Sequence, residues 1–218
     1  MCEDASLLAG GALPPASLVC LRRGEWARDD ARAVLRPLEG ELLKIAGTGE
    51  AAHPWRCLYY RNGGEGASCG IYDRRPAQCR ALFCADTAPL EAMLAHGGML
   101  DRRAALETLA DQALHPVAPA LCLELINAHD EACPAGRALA LAAALGFRPR
   151  GALTGGGPLS VGGGEAARAE LAGMVRYDAA FRELCVTRGG APASWLPFLL
   201  GRPLTVLLAE VGLRAAAG

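Results

Sequence analysis

Four cysteines fall within 28 residues of this chain: Cys57, Cys69, Cys79 and Cys84, spaced Cys-x11-Cys-x9-Cys-x4-Cys. Thiolate sulfur is a soft donor that suits zinc, copper(I) and iron–sulfur clusters. Four thiolates can close a tetrahedral zinc site or hold the irons of a cluster. Most zinc ribbons use Cys-x2-Cys turns, which aim two sulfurs at one ion, and this segment has none. Ligands on long loops suit a cluster better, because its irons hold the sulfurs farther apart. The competing reading is four reduced cysteines in a core, since free cysteine packs well as a small apolar residue. Glycines and arginines are poor company for a core, which weighs against it.

The local charge favours an anionic centre. Arg56, Arg61, Arg74, Arg75 and Arg80 stand against Glu65 and Asp73, an excess of three positive charges. Four thiolates around a dication carry about two excess negative charges. Nearby arginines stabilise that excess and lower thiol pKa values. Gly66 and Gly70 would let backbone N–H groups approach the sulfurs, which also tunes a cluster.

The run from Cys69 to Cys84, Cys-Gly-Ile-Tyr-Asp-Arg-Arg-Pro-Ala-Gln-Cys-Arg-Ala-Leu-Phe-Cys, resembles the signature of the YkgJ-type cysteine-cluster family. That family is described as a putative zinc- or iron-chelating domain. Cys57-Leu58-Tyr59-Tyr60 resembles a variant of its first cysteine segment. The resemblance covers residues 55 to 85. It implies Cys57, Cys69, Cys79 and Cys84 as ligands, with Tyr72, Arg75, Pro76 and Arg80 supporting them. The family's usual upstream cysteine cluster is missing, since Cys2 and Cys20 stand alone. Some members are flagellin lysine methylases thought to use an iron–sulfur centre; nothing outside the matched segment carries that activity over.

The remaining chain must position this segment, and its patterning predicts a mainly α fold. Residues 1 to 20 carry weak signals. Val34, Leu35, Leu38, Leu42 and Ile45 recur at helical spacing and predict a helix over 25–46, kinked at Pro37. Residues 47 to 84 are rich in glycine and proline and read as an irregular, loop-rich segment. Thr87 and Pro89 predict the next helix start. Further helices are expected from Asp101 with Leu106, Leu109, Ala110, Ala113 and Leu114, through Cys122, Leu125, Ile126 and His129, from Pro134 to Leu145, and over 165–185. The apolar tail from Ser194 to Leu213 predicts two short helices broken at Gly201–Pro203. The glycine runs in 151–164 read as a connector, because no Lys-Ser or Lys-Thr follows as a P-loop requires. The expected organisation is a helical domain over 1–150 containing the cysteine segment, the connector at 151–164, and a helical segment over 165–218 on the same core.

Other ligand-type residues read as core or as helix ends. His129 and Cys133 are one helical turn apart, a legal ligand spacing, yet single cysteines on apolar faces such as Cys122, Cys133 and Cys185 are usually core. His53 is a candidate substitute ligand near Cys57. His96 and His115 sit beside Gly97 and Pro116.

Composition narrows the function. The chain has 218 residues, 52% hydrophobic and 21% charged, with a net charge of -1, so neither bulk disorder nor charge-driven nucleic-acid binding is expected. Nine cysteines cannot all pair internally. Acidic residues follow Met1, where a signal peptide needs basic ones, and no apolar run reaches eighteen residues; a reducing cytoplasm is the expected compartment. No Ser–His–Asp order, HExxH helix or dinucleotide fingerprint is visible. The sequence therefore points to a metal- or cluster-binding protein, with an iron–sulfur cluster such as [4Fe-4S] favoured over zinc. It would act in redox chemistry or metal handling with an unidentified protein partner. A cluster-dependent enzyme of the protein lysine methylase kind and an interaction module with a structural zinc are the alternatives.

Overall fold

The computed structural model of the protein describes residues 3–29, 34–64, 66–82, 86–96, 100–110, 119–147 and 164–213. The chain opens with helix α1 (Glu3–Ala9), which buries Ala5 and Leu8 and ends where Gly11 adopts φ 71°. A 3-10 turn at Pro15–Ser17 leads into strand β1 (Leu18–Leu21), buried at all four positions. Residues 3–20 are thus well structured, although their local signals are weak.

The helix expected over 25–46 is absent. In its place lie β2 (Trp26–Asp29), β3 (Val34–Pro37) and β4 (Leu42–Ile45). β2 and β3 form an antiparallel pair with Trp26 opposite Pro37, and β4 pairs antiparallel with β1, Leu18 opposite Ile45. Pro37 supplies no N–H and Gly40 no side chain, so a helix there would lose a hydrogen bond and packing. At the end of a two-stranded ladder proline is tolerated. The one fully buried residue of β4 is Leu43, which lies off the supposed helical stripe. Pairing with β1, some twenty residues upstream, decides the outcome, and no local periodicity reports it.

The later helices follow the apolar pattern. α3 (Ala88–His96) begins where Asp86 Oδ1 accepts the Ala88 N–H and the Thr87 hydroxyl donates to Glu91. α4 (Arg102–Ala110) starts after Asp101, whose carboxylate accepts the Ala104 N–H at 2.7 Å, an N-cap. Ala113 and Leu114 lie outside the described residues. α5 (Pro119–Ala132) and α6 (Ala135–Ala144) follow. α6 stops at Gly146 (φ 91°), and the Phe147 N–H returns to the Ala142 carbonyl at 2.9 Å, closing a Schellman turn. α7 spans Gly164–Thr187; the rest of the glycine-rich connector lies outside the described residues. The tail forms α8 (Leu196–Leu200) and α9 (Leu204–Glu210), separated by Gly201 at φ 69°. A Cβ on Gly201 would stand 2.9 Å from the Cys20 carbonyl oxygen, so only glycine lets the tail lie against β1.

Two apolar clusters hold these elements. Phe198, Leu199 and Leu200 of α8 pack with Leu8, Leu18, Leu106, Leu109 and Ile126. Leu204 and Leu207 of α9 pack with Leu139 and Leu141 of α6 and with Leu171 and Met174 of α7. The tail thus enters both clusters, and burying a side chain such as Phe198 is worth about 2–3 kcal/mol. The protein is mainly helical with short antiparallel ladders.

Candidate metal centre

The cysteine segment grows out of β4. Past Ile45 the strand continues as a loose pair: the Leu58 N–H donates to the Ala46 carbonyl at 3.0 Å and the Thr48 N–H to the Arg56 carbonyl at 2.8 Å. Between these bonds Cys57 faces Gly47 across an antiparallel bridge. A Cβ on Gly47 would collide with the Pro54 carbonyl oxygen and stand 2.9 Å from the Trp55 Cα. Glycine is therefore required for residues 54–57 to approach. Arg56 pairs with Glu50 at 3.1 Å and fastens the loop.

The segment is more regular than its glycines suggest. β5 (Tyr60–Gly63) and β6 (Gly66–Cys69) form a hairpin in which Tyr60 faces Cys69. Gly66 takes φ 118°, open to glycine alone. The Tyr60 N–H donates to the Cys57 carbonyl at 2.9 Å, and the Gly70 N–H to the Tyr59 carbonyl at 2.7 Å. One turn and one cross-strand pair therefore join Cys57 to Cys69.

Beyond Cys69, buried Ile71 anchors a 3-10 turn, Tyr72–Arg74. Arg75 Nε donates to the Tyr72 carbonyl at 2.9 Å, with its guanidinium 3.7 Å from the Tyr72 ring centroid. Arg80 Nη1 donates to the Arg75 carbonyl at 2.7 Å. Pro76 then precedes α2 (Ala77–Ala81), which carries Cys79. The two arginines lace together the turn between Cys69 and Cys79. The α2 start is satisfied from a distance: the Ala77 N–H donates to Asp4 Oδ1 at 2.9 Å.

Cys57 is exposed, Cys69 and Cys79 are half-buried, and all three are free thiols. Burial pushes the Cys79 thiol pKa up, and the negative charges of Cys57, Cys69 and Asp4 push it further, with Arg75 opposing. The three thiols therefore share one electrostatic neighbourhood, reached from a bridge, a hairpin and a helix. Cys84 lies outside the described residues. His53 is exposed, and its hydrogen bonds run through its backbone.

Residues that spacing could not reveal surround this site. Asp4 comes from a stretch with no signal. Trp55 lies between two cations, with Lys44 Nζ at 4.6 Å and the Arg202 guanidinium at 4.9 Å from its ring. Burial and then Arg202 push the Lys44 amine down, while Cys57 pulls it up. Such contacts join positions far apart in the chain, and a single sequence offers no pattern for them.

A second group of ligand-type residues lies in the helical body. His129, Cys133 and Asp178 bring their donor atoms within 4.8 Å of one another, all buried. The hydrogen bonds argue against a metal there. His129 Nε2 bonds Asp178 at 2.8 Å and Nδ1 faces Asp130 at 3.2 Å. Burial pushes the imidazole pKa down, but the bonds to Asp130 and Asp178 outweigh it and hold the pKa at about 9. Both ring nitrogens of His129 are thus already engaged by carboxylates. The Cys133 thiol donates to the His129 carbonyl at 3.1 Å. Asp178 also accepts from Arg182 at 2.9 Å and from the Leu204 N–H at 2.8 Å. Asp130 pairs with Arg102 at 2.6 Å, and Arg102 with Glu41. Cys133 and Cys122 are buried and Cys185 is half-buried, in keeping with their reading as core. A cleft of about 470 Å³ beside Asp130, lined by Arg22, Arg23 and Asn127, opens next to this network and not at the cysteines.

The chain matches no family model, no curated protein and no solved structure.

Proposed function

We propose that the protein binds a metal centre, best read as an iron–sulfur cluster, through Cys57, Cys69, Cys79 and Cys84, and acts in redox chemistry or metal handling. The observation that carries the reading is the common electrostatic neighbourhood of Cys57, Cys69 and Cys79, near the surface and without a protein cation bonded to their sulfurs among the described residues. The donor set fits such a group: soft sulfurs, half-exposed, with arginines alongside. Among the described residues the triad drawn within 4.8 Å is the histidine one, not the cysteines. The Cys57–Cys84 spacing on loops, without a Cys-x2-Cys turn, favours a cluster over a single zinc.

A bound cluster would supply one-electron redox chemistry. This chain's own part is to hold the thiolates, to fix the Cys69–Cys79 turn through Arg75 and Arg80, and to start α2 on Asp4. The test is anaerobic purification with iron, zinc and acid-labile sulfide analysis and an absorption spectrum. Iron with sulfide and a brown colour is expected. One zinc per chain without colour would replace the cluster with a structural ion. Neither metal in the anaerobic protein would overturn the reading.

A further inference from the structure

Large apolar side chains exposed on the described surface concentrate in the cysteine segment: Trp55, Leu58, Tyr60, Tyr72 and Leu82, with Tyr72 at 61% exposure. Within this surface lies a depression of about 460 Å³ lined by Tyr60, Ala67, Ser68, Cys69, Tyr72 and Arg75. Its cation is pre-set. Arg75 is fixed by its Nε bond to the Tyr72 carbonyl and by stacking on the Tyr72 ring, and no carboxylate among the described residues pairs with its terminal amino groups. A guanidinium held this way loses little freedom when a carboxylate arrives in its fork. Residues 56–82 carry five arginines against Glu65 and Asp73.

We propose that this depression is a docking site for an acidic segment of a partner protein, a carboxylate pairing with Arg75 while apolar side chains of the same segment cover Tyr60 and Tyr72. Tyrosine, tryptophan and arginine are the residue types that dominate protein interfaces. Tyr60, Ala67 and Tyr72 line the depression beside Arg75, an apolar lining that a small anion would leave uncovered. Single-stranded nucleic acid also uses aromatics and arginine, but a chain of net charge -1 lacks the positive field that such binding draws on. The inference does not need the metal centre to be of one kind or another.

The test is fluorescence anisotropy of the full chain with three labelled probes: a short peptide alternating Glu with Leu or Phe, its Gln-for-Glu counterpart, and a short single-stranded oligonucleotide. The acidic peptide is expected to bind, and to bind more weakly as salt rises. Arg75→Gln should weaken it about tenfold, the loss of one charge-assisted pair, and Tyr72→Ala by a similar factor. Ser68→Glu puts a negative charge into the depression without touching the 72–80 turn, and should weaken binding even where Arg75→Gln perturbs folding. Arg137→Gln, on α6, should leave binding unchanged. Failure of the acidic peptide to bind, equal binding of the Gln counterpart, preference for the oligonucleotide, or parental binding by Ser68→Glu would each overturn the proposal. Metal analysis of the same samples keeps a lost centre distinguishable from a lost partner site.

Discussion

The cysteine segment and the His129–Asp178 network both gather residues of the kind that bind metals, yet they are opposites in what those residues have left to give. In the buried network every donor is already engaged. His129 lies between two carboxylates, Asp178 accepts three hydrogen bonds, and Cys133 donates to a carbonyl. In the cysteine segment Cys57, Cys69 and Cys79 are free thiols at or near the surface. Ligand-type residues in proximity do not make a site by themselves. The two regions differ in whether those lone pairs and charges are already spent on hydrogen bonds and ion pairs.

Four experiments would break or sharpen this contrast. The largest effect is expected from Asp178→Ala, which strands His129, Arg182 and the Leu204 N–H in the interior. Removing one partner of a buried ion pair costs about 3–5 kcal/mol, to be read as a lowered urea midpoint, with metal content per folded chain unchanged. If this variant lost its metal and kept its midpoint, the roles of the two regions would be reversed.

Next comes pH. His129 has its pKa raised to about 9, so its contribution to stability is complete below about pH 6.5, the unfolded value, and disappears as pH rises through 9. That contribution is up to about 3 kcal/mol. Asp130 runs the other way. Burial raises its pKa, but the hydrogen bond from His129 and the charge of Arg102 bring it to about 2. Its contribution is therefore present above about pH 4, an ordinary unfolded carboxylate value, and is lost as pH falls toward 2. Urea midpoints should form a plateau between about pH 4 and 6.5 and decline on both sides. A midpoint rising from pH 7 to 9 would show that His129 is not held as an imidazolium.

Cys79→Ser should act locally. Most of the bound metal should be lost, and amide exchange should quicken across residues 57–82, because ligation energy is folding energy there. Exchange in α4 to α9 should change little. Full metal retention would remove Cys79 from the ligand set. The smallest effect belongs to Arg137→Gln, which breaks a fully exposed pair with Glu170. Surface pairs contribute little, and the urea midpoint should not move beyond error.

The helices after residue 100 are legible because their signals are local. Asp101 caps α4, Gly146 ends α6, and Gly201–Pro203 divides the tail. The region before residue 46 is not, because its structure is set by β1 meeting β4. Leu35 and Leu38 mimic a helical stripe, while the residue that becomes buried, Leu43, lies off it. In the candidate centre the cysteines and the Tyr72–Arg80 turn stand out as a contiguous motif. Asp4, Lys44 and Arg202 do not, because only folding brings them there.

The hydrogen bond from Ala77 to Asp4 has a consequence for the order of events in making the protein. α2 begins on a carboxylate 73 residues upstream, and α1, which carries that carboxylate, is seated on α4, which follows the cysteines in the chain. The thiol segment is bracketed by its two anchors and reaches its final geometry only when both have been synthesised.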